Sequence, residues 1–421
     1  MGGMGESSLA IIPGATEQLR NRDVHYPFRQ DSDFHYLTGF PEPDAVAVLI
    51  PGRAQGQYVL FCRDRNPQAE IWTGYRAGPE GARQRYGCEE AYSIEVIDEV
   101  LPRLLADHVQ RVFYTLGNHP RFDERLIGWL RRLREQARGG VQPPAELIGL
   151  DGLLHEMRLF KSEAELAVMR RAGQITAAAH RHAMQYCRPG LQEYQLAAEF
   201  THAFARAGGE HAYPPIVGGG GNACILHYTE NDQPLRDGEL VLIDAGGEFE
   251  CYAADVTRTF PVNGRFSGEQ RAIYELVLAA QDAAIAQVRC GQHWNQPHEA
   301  AIAVLSQGLL DLELLQGSLD EVIGQQLYRR FYMHRTGHWL GLDVHDVGSY
   351  QQDGQWRPLA PGMVLTVEPG LYIRPDPQVP ERWWNIGVRI EDDVLVTAGE
   401  PEILTFDAPK QVADIEAVMR A

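Results

Sequence analysis

Residues 239–260 read Glu-Leu-Val-Leu-Ile-Asp-Ala-Gly-Gly-Glu-Phe-Glu-Cys-Tyr-Ala-Ala-Asp-Val-Thr-Arg-Thr-Phe. The run from Leu240 is apolar and β-branched, short, and ends in an acid, Asp244; this is the pattern of a buried strand. Gly246-Gly247 can turn the chain, and residues 251–260 can return as a hairpin partner. That pairing sets Asp255 opposite Asp244. Two later runs repeat the theme: Met363-Val-Leu-Thr-Val-Glu368 and Gly387-Val-Arg-Ile-Glu391 are apolar and end in an acid. Helices frame them. Ser162-Glu-Ala-Glu165 and Ser267-Gly-Glu-Gln270 are capping boxes, predicting helices over 162–187 and 267–288. A helix over 192–207 lies between, ended by Gly208-Gly209. Gly218 to Gly221 reads as a loop.

Upstream the texture differs. Residues 44–50, 58–62 and 111–115 are short apolar runs, read as strands. Residues 95–105 and 121–136 have helical periodicity, with Pro102 a candidate interruption. Such alternation predicts an α/β domain. The turn-rich Arg138-Gly-Gly-Val-Gln-Pro-Pro144 marks the boundary region. Two domains are expected, 1–155 and 156–421.

Composition narrows the function. Lys+Arg 38 against Asp+Glu 57 give a net charge of −19 over 421 residues. Such a chain has no general positive field for nucleic acid or anionic membrane. No C-x-x-C occurs among the six cysteines, so zinc-ribbon and redox-pair readings fall away. Scattered thiols read as buried residues of a reducing compartment. The start, Met1-Gly-Gly-Met-Gly-Glu6, has no apolar core, and no run of 18 apolar residues appears; the expected location is the cytoplasm.

The chemistry concentrates in charged residues on otherwise apolar elements. Asp244, Asp255, Glu368 and Glu391 each cost energy there unless paired or bound to metal. Taken singly, each could mark where a strand leaves the core. They are accompanied, however, by His334-Arg-Thr-Gly-His338-Trp-Leu-Gly-Leu-Asp-Val-His345. With 15 His in 421 residues, about 0.4 are expected in such a window. The stretch is glycine-interrupted and contains no H-E-x-x-H, so it reads as loop and short strand rather than as a zincin helix. Four carboxylates and one imidazole carry a charge of about −4, which matches two dications better than one. Oxygen-rich ligation with one nitrogen suits manganese, iron(II), cobalt or zinc. Two such ions 3.5–4 Å apart are hydrolase chemistry.

These residues, Asp244-Ala-Gly-Gly to Thr259, His334 to His345, Thr366-Val-Glu-Pro-Gly370 and Gly387 to Glu391, resemble the signature of the pita-bread metallopeptidases: methionine aminopeptidase, prolidase, Xaa-Pro aminopeptidase and creatinase. The resemblance implies an α+β pita-bread catalytic domain behind an α/β creatinase/prolidase-like N-terminal domain. Within the latter, Tyr26-Pro-Phe-Arg-Gln-Asp-Ser-Asp-Phe-His-Tyr-Leu-Thr-Gly-Phe40 is similar to bacterial Xaa-Pro aminopeptidases. The resemblance also implies roles. Asp244 would hold one metal, Asp255 and Glu391 would bridge two, and His338 and Glu368 would hold the second. Glu368 would also handle the proton of the bridging water, whose hydroxide is the nucleophile. Manganese is the expected ion. His227 would lie near the scissile bond, His345 would bind the substrate carbonyl, His334 would line the proline pocket and Arg389 would stand beside the bridging glutamate.

The implied substrate is a peptide with proline in second position. Its Xaa-Pro amide is tertiary and offers no N–H, so a site that grips the amino terminus and the carbonyl suits it. Trp72, Tyr213-Pro-Pro215 and Trp339 are candidate walls for the ring, and ordinary core packing accounts for each equally well. The resemblance further implies a homo-oligomer, with a tetramer favoured, in which Asp23 and Trp72 reach a neighbouring subunit. Two alternatives remain at this level: a prolidase restricted to dipeptides, and a catalytically dead binding module on the same fold. A dinucleotide site at Gly218–Gly221 lacks the G-x-G-x-x-G frame.

Overall fold

The computed structural model describes residues 1–420 as two compact units, the first covering 1–156 and the second starting at Met157. The helix Asp151–Leu159 runs through the division.

The first unit is built on a six-stranded mixed sheet. Ser8–Pro13 lies inside it, antiparallel to Val46–Leu49 and parallel to Arg111–Phe113. The period-two alternation of the strands sorts their side chains to two faces. Leu9, Ile11, Val46 and Val48 pack with Leu101, Leu105, Phe122 and Trp129 of two helices. Ala10, Ile12, Ala47 and Leu60 face the other way, against Phe34, Phe40 and Leu154. Pro102 does not interrupt its helix: Ile97–Ala106 continues through it.

The second unit holds antiparallel strand pairs framed by long helices. The capping boxes at Ser162 and Ser267 are both made, and they open Glu163–Tyr186 and Gly268–Ile285. Leu240–Asp244 is the middle strand of three, between Ile216–Gly219 and Thr257–Pro261. Gly218 and Gly219, expected in a loop, belong to the first of these and pair with Leu242 and Val241. Val364–Val367 pairs with Asp392–Leu395, and Gly370–Ile373 with Ile386–Arg389. One apolar core joins these strands to the helices, from Ala179 and Phe200 to Val277, Leu305 and Val388. Among the described residues no helix is long and apolar enough to cross a membrane.

Candidate metal centre

Strand ends supply the acids. Asp244 is the last residue of its strand, Glu368 follows Val364–Val367 directly, and Glu391 lies two residues beyond Ile386–Arg389. Asp255 is the exception to the expected hairpin. The ladder pairs Asp244 with Thr257, so Asp255 lies in the connection before the strand rather than opposite Asp244. Its main-chain N–H donates to the Asp393 carboxylate at 3.2 Å, which fixes it there.

The histidine stretch is irregular, and hydrogen bonds zip it to the strand beside it. Thr366 N–H donates to His338 O at 3.0 Å, and Glu368 N–H to Thr336 O at 2.8 Å. This brings His338 and Glu368 side by side. A Cβ on Gly337 would stand 2.0 Å from Thr366 O, so only glycine permits the approach.

One cavity of about 650 Å³ is lined by His227, Asp244, Asp255, His334, His338, His345, Glu368, Arg389 and Glu391. All nine residues singled out in the sequence meet there. Ligand atoms of Asp255, His338 and Glu391 lie within 4.8 Å of one another. His338 holds its Nδ1 2.9 Å from Trp339 O, so in the neutral ring that nitrogen donates and Nε2 carries the lone pair. Nε2 stands 3.4 Å from Asp255 Oδ2 and 3.7 Å from Glu368 Oε1. The ring of His345 meets that of His338 edge to face at 4.3 Å.

A chain of hydrogen bonds connects the carboxylates behind the cavity. Arg389 reaches Asp244 Oδ2 at 2.5 Å, Tyr372 Oη at 3.1 Å and Thr257 Oγ1 at 3.1 Å. Thr257 in turn donates to Glu391 Oε2 at 2.6 Å, and Tyr372 Oη lies 2.8 Å from His334 Nε2. Tyr213, taken from the sequence as a possible pocket wall, instead presents its hydroxyl to both Asp244 and Asp255.

The electrostatics follow from burial. Desolvation, and then the neighbouring Asp255, Glu368 and Asp244, push Glu391 well above the usual carboxylate range. Burial raises Asp244 against the pull of Arg389, and lifts Glu368 to about 7. Burial alone would raise Asp255 too, but the adjacent His338 and its charge hold it low. His338 responds in the opposite sense: burial lowers it, but Asp255 and Glu368 carry it up to about 9. His334, desolvated and near Arg389, is pressed down to about 3. Arg389 and a protonated His338 therefore set two positive charges against four clustered carboxylates, and a cation that displaced the His338 proton would find an imidazole lone pair beside two of them. Hard oxygen donors with a single nitrogen, short of positive charge, fit divalent metal ions.

The aromatic side of the cavity differs from expectation. Trp339 is fully buried and lies behind the wall, stacked on Tyr350 with centroids 5.6 Å apart. The lining residues are Trp294, Tyr350 and Trp356, which sequence reasoning missed because no spacing rule joins them. Trp72 and Asp23 belong to the first unit, and both are exposed.

Residues 167–398 match the model of metallopeptidase family M24, and residues 1–114 match the aminopeptidase P N-terminal domain. The chain belongs to metallopeptidase family M24. Over its whole length it falls among the family's Xaa-Pro aminopeptidases. It is 47% identical to the Xaa-Pro aminopeptidase of Escherichia coli, the match covering 99% of this chain and 95% of that one. It is 36% identical to human Xaa-Pro aminopeptidase 3, over 98% and 81%. Among solved structures, Pseudomonas aeruginosa aminopeptidase PepP superposes with a TM-score of 0.98 at 56% identity, covering 100% of this chain and 95% of that one. Zinc-substituted Escherichia coli aminopeptidase P in complex with product gives 0.96 at 47%, over 99% and 95%.

Proposed function

We propose that the protein hydrolyses the Xaa-Pro bond at the amino terminus of peptides, using two divalent cations held by Asp244, Asp255, His338, Glu368 and Glu391. The observation that carries this reading is the meeting of these five donors in one cavity with His227, His334, His345 and Arg389. Two cations bound there supply Lewis acidity for the scissile carbonyl and a water of lowered pKa. The protein's own groups do the rest. Asp255 and Glu391 would be shared between the two ions, with Asp244 serving one and His338 and Glu368 the other. The proline nitrogen of a tertiary amide leaves as a secondary amine and must gain a proton. Glu368, facing the cavity beside His338, takes that proton from the attacking water and delivers it. His345 and His227, both exposed at the cavity, hold the carbonyl and the chain around the cut bond. Arg389 pairs with Asp244 and orients it, and His334, neutral at working pH, borders the proline ring. Trp294, Tyr350 and Trp356 offer the flat apolar surface the ring requires.

Manganese is the ion we expect in the cell, since carboxylate-rich sites suit it. The location is the cytoplasm; six free thiols, four of them buried, suit a reducing compartment. The working form is a homo-oligomer, a tetramer by preference. Ile71, Trp72 and Tyr75 of the first unit are 81%, 87% and 92% exposed, an apolar patch of the kind a second copy covers. Assay of metal-reconstituted protein on Xaa-Pro-Yaa tripeptides against Xaa-Ala-Yaa controls tests the activity. Equal rates on both series would contradict the proline reading.

A further inference from the structure

His345 and Asp346 are sequence neighbours facing opposite ways. His345 is exposed at the cavity, whereas Asp346 is buried. The Asp346 carboxylate accepts from Arg158 at 2.5 Å and from Lys161 Nζ at 2.9 Å. The side chains of Lys161 and Asp346 are each 1% exposed and that of Arg158 is 3% exposed. Arg158 also donates to Asp343 at 2.7 Å.

Burying such charges is costly, and apolar residues of similar volume would serve stability as well or better. What the cluster does provide is directional fixing of an irregular segment. The His338 half of that segment is already zipped to Val364–Val367. Beyond Leu340 the chain leaves the strand, tied by Ala253 N–H to Gly341 O at 2.8 Å and by Asp346 N–H to Trp339 O at 2.9 Å. The buried side-chain anchor beside His345 is the Asp346 carboxylate, with Asp343 sharing Arg158 nearer Leu340. A Cβ on Gly341 would come 2.2 Å from Asp346 Oδ2 and 2.9 Å from Lys161 Cε. The carboxylate and the lysine stem thus run directly under the main chain, and the fit has no slack.

We infer that the Arg158–Asp346–Lys161 cluster is a positioning device that sets the imidazole of His345 at the cavity. Arg158, Lys161 and Asp346 act through His345 and do not touch substrate. The inference rests on the reading of His345 as a substrate-contacting group.

Asp346→Ala would strand the buried Lys161, leave Arg158 paired with Asp343, and can fail to fold, so the test uses Lys161→Met, which leaves Arg158 as counter-charge, and Gly341→Ala, which displaces the carboxylate without removing a charge. Each is made alone and with His345→Ala. Turnover of a tripeptide, metal content and the urea midpoint are measured for each protein. In the parent, each variant should lower kcat about tenfold at unchanged metal content, the scale of a lost orienting partner. On the His345→Ala background the further loss should stay within about twofold, while the urea midpoint shifts equally on both. Equal kcat losses on both backgrounds overturn the inference alone. An unchanged kcat in His345→Ala by itself overturns the reading of His345, and the inference with it.

Discussion

His338 Nε2 stands 3.4 Å from Asp255 Oδ2, wider than an ordinary N–H···O bond. The bond from Nδ1 to Trp339 O commits the ring, so the nitrogen facing the carboxylate is the one free to ligate. Without an ion, a proton on Nε2 faces the Asp255 anion; a shared cation would displace that proton and take its place between the two groups. The consequences for this site can be measured.

Removing charge from the shared donors should be severe. Asp255→Asn and Glu391→Gln keep shape but each delete a negative charge between the two proposed ions. Each should lower kcat by more than about 100-fold, the upper end for lost supporting groups. His338→Ala should weaken one metal equivalent more than the other. Metal analysis beside steady-state kinetics checks both. Near-normal turnover of Glu391→Gln at saturating metal would refute its bridging role.

The Arg389–Asp244 pair should couple stability to metal. Arg389 is buried and lies 2.5 Å from Asp244 Oδ2. Arg389→Met leaves that carboxylate uncompensated, at a cost of about 3–5 kcal/mol in chelator-treated protein. Added dication should recover much of this, because it supplies the missing charge. Urea unfolding with and without metal tests it, and an equal loss in both conditions would count against the pairing.

A buried histidine away from the cavity predicts an acid-side response. His180 is fully buried, its Nε2 3.0 Å from Ala245 O. Burial, and then Arg258, lower its pKa to about 3, against about 6.5 in an unfolded chain. Between these values the unfolded state takes up a proton that the folded state refuses. Stability therefore falls as pH drops below about 6.5, by about 1.4 kcal/mol per pH unit from this group. His180→Gln keeps a donor but cannot titrate, so its stability should decline less steeply from pH 6.5 to 5. Parallel slopes for the two proteins would contradict the assignment.

Much of this was legible in the residues, and the failures have physical causes. Leu240–Asp244 is apolar and acid-ended, so periodicity alone located it. Ser162 and Ser267 announced their helices because a cap needs specific side chains at fixed spacing. Asp255 was set on the wrong element because hairpin register depends on the turn; here Gly247–Phe249 and Tyr252–Ala253 form their own short pair, and the main ladder starts at Thr257. Pro102 looked like a break, yet the helix continues through it, with Leu101, Leu104 and Leu105 buried on either side. Among aromatics, Trp339 beside a histidine ligand candidate looked like a wall. Tertiary packing alone puts Trp294, Tyr350 and Trp356 at the cavity and Trp339 behind them. Tyr213 was noticed for its ring, whereas its hydroxyl is what meets Asp244 and Asp255.

The proposed assembly can be tested at the exposed patch on the first unit. Trp72→Glu should shift sedimentation of the purified protein toward smaller species and lower activity in parallel. An unchanged sedimentation profile would show that Ile71, Trp72 and Tyr75 face solvent.

Stoichiometric metal titration bears most directly on the proposed chemistry. Chelator-stripped protein is titrated with manganese while hydrolysis of an Xaa-Pro-Yaa tripeptide is followed. Activity should start near zero and reach its plateau at two equivalents of ion per chain. Full turnover by the stripped protein, or a plateau at one equivalent, would contradict a two-ion centre built on Asp244, Asp255, His338, Glu368 and Glu391.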